Sequence, residues 1–343
     1  MNARVPVNNA TPTEERCVTS YPARRAYRPG VVYPPAVPGL TDAIDIHCHS
    51  HEGQQDALAL AQLASESGMR GILYKTIGAI SGEYEPERAM QTVREQLARW
   101  SDEVKIRPID CWAGYGVTMD NKAPTVEKLR KNLDDGVRGV WLPVFNSTHT
   151  YNKIGALARW IDPDAPAGAH TPPMSWDEAL RLGHYLLDEH GRLKPLYEDI
   201  VRMVADRDVA LFFGHPTWEE IDALANLVHK LGFKRAVIDH PFSPFISLTP
   251  EKMRDLTAMG IYMNFTFDEL SPLLGVDPKR MYDAIRAIGV SKVTLSSDAG
   301  EPLFPHSVEC MRLIRGYMAA FGLDESELQT VCCTNPARVM GLA

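Results

Sequence analysis

Eight short apolar runs, separated by segments with helical periodicity and legible caps, constrain this chain more than any other feature. The runs cover residues 43–49, 71–76, 106–113, 139–145, 209–214, 235–239, 260–265 and 292–297. They are rich in Val, Ile, Leu and aromatics and show little polar alternation, as strands do when both faces of a parallel sheet are covered. A helical segment over 56–66 opens at Asp56 and stops at Gly68, and segments over 85–100 and 125–133 follow the second and third runs. Ser175 with Glu178, and Thr217 with Glu220, read as capping boxes. Thr249-Pro250 and Asp277-Pro278 each set a capping side chain before a proline suited to the first helical position. Eight strands, each followed by a helix, predict an α/β protein with a (β/α)8 barrel of the TIM type.

The spacing of the runs divides the chain further. Most run ends fall about 25–37 residues apart, normal for a strand–helix unit. The gap after the fourth run is about 70 residues, and loops that long are usually lids or binding loops. Residues 146–174 are therefore expected to form a lid-like insertion at the catalytic rim, carrying His149, Tyr151 and Trp160. Residues 1–40 mix Pro, Arg and Tyr without period and are expected to be an extended N-terminal arm, either docked or disordered, before a barrel over 41–343.

Composition excludes several classes. The formal charge is −8 with no long Lys/Arg run, which argues against nucleic acid or an anionic membrane as partner. No apolar stretch approaches the roughly 18–20 residues of a membrane span, and the first residues carry no apolar signal core. Six scattered cysteines without a C-x-x-C pattern suggest reduced thiols and a cytoplasmic setting. The expected partner is a small-molecule substrate, with a homo-oligomer as an open expectation.

Chemistry concentrates at the ends of the runs. Asp45-Ile46-His47-Cys48-His49 closes the first; in an extended strand Asp45, His47 and His49 share a face, and Cys48 points away. Two imidazoles side by side are half of a metal site, although an isolated H-x-H also occurs as ordinary paired histidines. The fifth run ends at His215, the sixth at His240 and the eighth at Asp298. A barrel brings such ends to one mouth, where they would converge on a divalent ion. The histidine-rich set makes Zn2+ the first expectation, with Mn2+ or Fe2+ as alternatives.

This order of H-x-H on strand one, His on five, His on six and Asp on eight resembles the amidohydrolase superfamily of metal-dependent hydrolases. The C-terminal Thr334-Asn335-Pro336-Ala337-Arg338 stretch is similar to that superfamily's closing helix. The resemblance covers roughly residues 43–342 and points to an uncharacterised branch. It implies that His47 and His49 bind the more buried metal, that Asp298 binds it and accepts the proton of the attacking water, and that His215 is a ligand. His240 would ligate a second metal or face the substrate. One departure stands out: the fourth run, Val140 to Phe145, ends in neither Lys nor Glu. Lys75, at the end of the second run, could instead be a carbamate bridge, a substrate-carboxylate binder or a solvated lysine, so one or two ions fit.

The implied activity is hydrolysis of an amide, ester, lactone or activated C–C bond in a small organic substrate. The rival on the same scaffold is a metal-dependent decarboxylase or hydratase of a hydroxy or aryl carboxylic acid, for which Tyr74, Lys75, His149, Tyr151, Trp160 and Glu301 would form the pocket. A non-catalytic metal-binding barrel is the reading from another class.

Overall fold

A computed structural model describes residues 39–51, 55–78, 84–162, 164–165, 169–300 and 303–342. All but the last two residues of the expected arm, and Glu301, lie outside the described residues.

The strands are β1 Ile44–His51, β2 Gly71–Gly78, β3 Asp110–Gly116, β4 Gly139–Trp141, β5 Ala210–Phe212, β6 Ala236–Asp239, β7 Tyr262–Thr266 and β8 Val293–Ser296. They pair in sequence order, all parallel. β8 closes on β1, because Asp298 N donates to His47 O and His49 N donates to Ala299 O, both at 2.8 Å. This is the (β/α)8 barrel that the alternation predicts.

The largest departures from the expected strand bounds are at the start of β3 and the end of β4. β3 begins at Asp110 rather than 106, because Pro108 offers no N–H to a ladder and Arg107 is exposed. β4 stops at Trp141, and Pro143 ends the run early. The freed Pro143 carbonyl accepts a bond from His215 N at 3.0 Å, so the broken ladder is reused to seat a functional residue.

The helix signals hold. Asp56, Thr125, Ser175, Thr217, Thr249 and Asp277 each cap a helix through the side chain. Thr217 and Glu220 form the full reciprocal box, whereas Ser175 accepts from Glu178 N without the return bond. Inside the barrel the Trp141 indole stacks on Phe212 with centroids 3.9 Å apart. Gly114 and Gly139 admit it, since a Cβ at either would press on the Trp141 ring.

The insertion after β4 carries helices Thr148–Ile154, Ala158–Ile161 and Trp176–Leu182 before the helix Pro195–Asp206. Tyr151, Ala156 and Ala179, with Met174, form a small core of their own. Five cysteines, Cys48, Cys111, Cys310, Cys332 and Cys333, are free and buried. No described helix is long and apolar enough to cross a membrane.

Candidate metal centre

β1 does not run as a plain strand through its histidines. Its register against β2 shifts between Asp45 and Cys48, and again before His49. The shift changes which side chains share a face. His47 and His49 enter the barrel with ring centroids 5.3 Å apart. Asp45 does not accompany them, contrary to the simple alternation. Its carboxylate accepts from Ser297 Oγ at 2.5 Å and Ser307 Oγ at 2.6 Å, and from the backbone N–H groups of His47 and Ser297. Asp45 thus locks the β1–β8 seam to the helix Ser307–Phe321. Cys48 is a packing residue whose Sγ receives Gln55 Nε2 at 3.3 Å.

At the other strand ends the backbone itself turns sharply. Gly214, His240 and Asp298 have φ of +73°, +34° and +49°, the left-handed region that costs a non-glycine residue about 1–3 kcal/mol. All three lie just past the ends of β5, β6 and β8. Such strain persists where surrounding contacts demand it, and functional sites are where it collects.

Each histidine has a polar partner beside Nδ1, hydrogen-bonded for His49, His215 and His240. His47 Nδ1 lies 3.2 Å from Asp239 Oδ1. His49 Nδ1 shares a hydrogen bond with Thr76 Oγ1 at 2.8 Å, and His240 Nδ1 one with Ser243 Oγ at 3.0 Å. For His215 the direction follows from proton counting. Thr150 Oγ1 gives its single proton to Val144 O at 2.9 Å, so it must accept from His215 Nδ1 at 3.0 Å. The Nε2 of His215 then carries the lone pair, the form a metal needs. Holding the second ring nitrogen in this way fixes tautomer and orientation at metal sites.

The Nε2 atoms of His47 and His49 each lie 3.1 Å from Asp298 Oδ1, and that of His240 lies 3.9 Å from Asp298 Oδ2. One ligand atom from each of His47, His49 and Asp298 falls within 4.8 Å of the others. His215 and His240 adjoin this trio, with centroids 5.1 Å apart. His47 is wholly buried, yet neither Nδ1 nor Nε2 makes an aligned hydrogen bond, and each lies beside a carboxylate. An orphaned imidazole nitrogen facing a carboxylate and a second imidazole fits a divalent cation.

The electrostatics agree. Burial lowers the basicity of His49 to about 3 and of His240 to about 4, and pushes His215 well below the usual histidine range. These rings are neutral at pH 7, as ligands must be. Burial alone would raise Asp298, but His47, His49 and Lys75 together hold it well below the usual carboxylate range. Asp239 behaves alike, its burial outweighed by His47, His240 and Lys75.

Sequence reasoning missed Asp239 and its support. Asp239 accepts Trp141 Nε1 and Asn264 Nδ2, each at 2.8 Å, and Asn264 Oδ1 accepts from Thr294 Oγ1 and Ser296 Oγ, each at 2.8 Å. The available signal was an acid at the end of the fully buried strand Ala-Val-Ile-Asp, where an unpaired carboxylate would be costly.

The expected substrate residues divide. Lys75 enters the barrel and is 2% exposed, so it is not a solvated lysine. Burial lowers its pKa, against the pull of Asp298, Asp239 and Asp268. Tyr74 takes the opposite face, as alternation requires, and its hydroxyl donates to Ala57 O at 3.0 Å in the helix Ala57–Glu66, away from the site. Tyr151 is 2% exposed within the insertion's own core and presents no face to a ligand. Trp160 is half-buried on the short helix Ala158–Ile161, with its carbonyl taken by Asn121 Nδ2. His149 has a buried, unpartnered Nδ1 and is held to about 4, first by burial and then by Lys153. The rim beside the ligands is aromatic instead: Phe245 stacks on His215 at 4.5 Å, and Phe145 meets its edge at 5.7 Å. A separate cleft of about 200 Å3, lined by Tyr84, Tyr115 and Lys131, contains none of these ligands.

Fold and site together define an eight-stranded α/β barrel with a four-histidine, one-aspartate cluster at its mouth. Within that class, the chain belongs to a family of unknown function (DUF6282), whose model matches residues 42–264. No curated protein sequence matches it. Among solved structures it is similar to a probable dipeptidase from Pseudomonas aeruginosa, at TM-score 0.52 and 13% identity over 95% of this chain and 98% of that one. An amidohydrolase from Pseudomonas aeruginosa gives 0.51 and 10%, over 87% and 96%. An N-acetyl-D-glucosamine-6-phosphate deacetylase from Mycobacterium smegmatis gives 0.50 and 15%, over 91% and 82%. At these identities the shared feature is the fold.

Proposed function

We propose that this protein is a metal-dependent hydrolase of the amidohydrolase superfamily, acting on an amide, ester or lactone of a small organic molecule. The observation that carries the reading is the shared design of the four histidines. The Nδ1 atoms of His49, His215 and His240 each meet a hydroxyl and that of His47 lies 3.2 Å from the Asp239 carboxylate, while the Nε2 atoms of His47, His49 and His240 face Asp298. A purely structural cluster has no need to spend all four Nδ1 positions on fixing the rings. The names carried by the similar structures, an amidohydrolase, a probable dipeptidase and a deacetylase, are hydrolytic and agree with it.

His47, His49 and Asp298 would hold a divalent ion, Zn2+ by donor type, with His215 and His240 beside it. Such an ion supplies Lewis acidity and brings the pKa of water down to about 7. Asp298 has two oxygens with separate duties. Oδ1 faces both β1 imidazoles, while Oδ2 lies on the His240 side, placed to take the proton of an attacking water. Its low basicity keeps it ionised for that task. His240, anchored on Ser243, is placed to steady negative charge developing on the substrate. Phe145 and Phe245 keep bulk water from the His215 side.

The test is metal analysis of the purified protein, followed by a panel of N-acyl, ester and lactone substrates assayed for released acid. Absence of bound metal, or acid release unchanged in a His47→Ala, His49→Ala double variant, would overturn the proposal. Metal-dependent release of CO2 without hydrolysis would assign the decarboxylase alternative instead.

A further inference from the structure

Lys75 is buried in the barrel, and its Nζ lies over an aromatic ring rather than on a carboxylate. Its recorded contact is with the Trp141 ring, 5.9 Å from the centroid. At 2% exposure its ammonium carries a desolvation cost that a bound anion would offset. Asp298, Asp239 and Asp268 offset only part of that cost, and at a distance. Asp239 is taken by His47, Trp141 and Asn264, and Asp298 by His47 and His49. Gly114 packs against the backbone of this position, where a Cβ would strike the Lys75 Cα and the Trp141 ring. The Trp141 ring that it lies over is itself 5.5 Å from the His47 ring, which sets Lys75 beside the cluster.

We propose that Lys75 binds the carboxylate of the substrate, so that the enzyme acts on small organic acids rather than on neutral molecules. The inference rests on the hydrolase reading and narrows it. The three N–H donors of Lys75 supply what a carboxylate needs, and the Trp141 ring beneath supplies the apolar floor. The aromatic wall of Phe145 and Phe245 receives the rest of an acid's carbon frame.

The experiment uses the zinc-loaded protein and two probes of one shape, benzoate and benzamide, with binding measured by calorimetry at neutral pH. Wild type should prefer benzoate by about tenfold or more. Lys75→Met should weaken benzoate by about 10–100-fold, as loss of a charged hydrogen bond does, and leave benzamide unchanged. Lys75→Arg should retain most of the preference. Lys75→Gln stands in if the methionine variant does not fold. Zinc content should stay constant across the series. Failure of wild type to bind benzoate, equal binding of the two probes, or a preference that survives Lys75→Met overturns the proposal. Loss of zinc in Lys75→Met also overturns it, and with a mass increase matching a carbamate would make Lys75 a ligand. If the histidine double variant keeps its metal, the hydrolase reading itself fails; if metal binds as expected and benzoate ignores Lys75, only this inference fails.

Discussion

His47 and Asp239 meet Nδ1 to Oδ1 at 3.2 Å, both buried, and the opposite edge of the same ring lies 3.1 Å from Asp298. Asp239 cannot follow a drifting ring, because Trp141 and Asn264 pin its two oxygens. Asp239→Asn should therefore lower zinc affinity by about 10–100-fold. Competition with a chromophoric chelator reads this directly, and wild-type affinity in the variant would remove Asp239 from the site's design.

Thr150 links the insertion to the metal centre. It lies on the helix Thr148–Ile154 and receives His215 Nδ1. Thr150→Val keeps the volume and removes the acceptor, stranding a buried N–H at a cost of about 1–3 kcal/mol. The expected result is a lower denaturation midpoint together with weaker metal binding. A change in stability alone would mean that His215 does not contribute to the ion.

Gly214 sets the position of His215 through its left-handed backbone and its contact with the Leu142 and Pro143 carbonyls. Gly214→Ala adds a Cβ against those carbonyls in a conformation L-residues avoid. It should cost about 1–3 kcal/mol in stability. The His215 ring resonances should also shift in the NMR spectrum, and unaltered resonances would count against this account of the turn.

Two buried glutamates predict an alkaline limb of stability. Burial pushes Glu269 up to about 8 and Glu220 to about 7, despite backbone bonds that favour their charged forms. Both folded values exceed that of an ordinary glutamate, so folding takes up protons. Their contribution is complete below about pH 4.5 and is lost as pH rises through 7 to 8, at roughly 1.4 kcal/mol per proton per pH unit. Above about pH 7.5 unfolded histidines, with pKa near 6.5, are about 90% deprotonated and no longer oppose it. Denaturation from pH 7.5 to 8.5 should show falling stability in wild type and a flatter profile in Glu269→Gln.

Removal of metal should soften the fold. An ion that binds only the folded chain adds about 2.7 kcal/mol at one hundred times its Kd. Dialysis against a chelator should lower Tm, and added zinc should restore it. The His47→Ala, His49→Ala double variant should not respond to either.

Much of this protein follows from local chemistry. The eight apolar runs, the caps at Asp56, Thr125, Thr217, Thr249 and Asp277, and the run-end residues His47, His49, His215, His240 and Asp298 were legible in the chain, because hydrophobic period, capping and run position are local properties. Those properties set the barrel and bring the ligands to one mouth. They could not report register. The shift in β1 separates Asp45 from His47, and strand phase sends Tyr74 to the helix side and Lys75 inward.

Tertiary packing alone decided which polar groups meet. The chain by itself determined a barrel with five metal-capable side chains at the ends of its strands. Only the closed barrel decided that Asp239 serves His47, that Thr150 from a distant insertion fixes His215, and that Lys75 lies over the Trp141 ring. The reason is physical: a hydrophobic pattern specifies which residues are buried, whereas hydrogen-bond partners across a barrel depend on stagger and closure, to which many remote residues contribute at once.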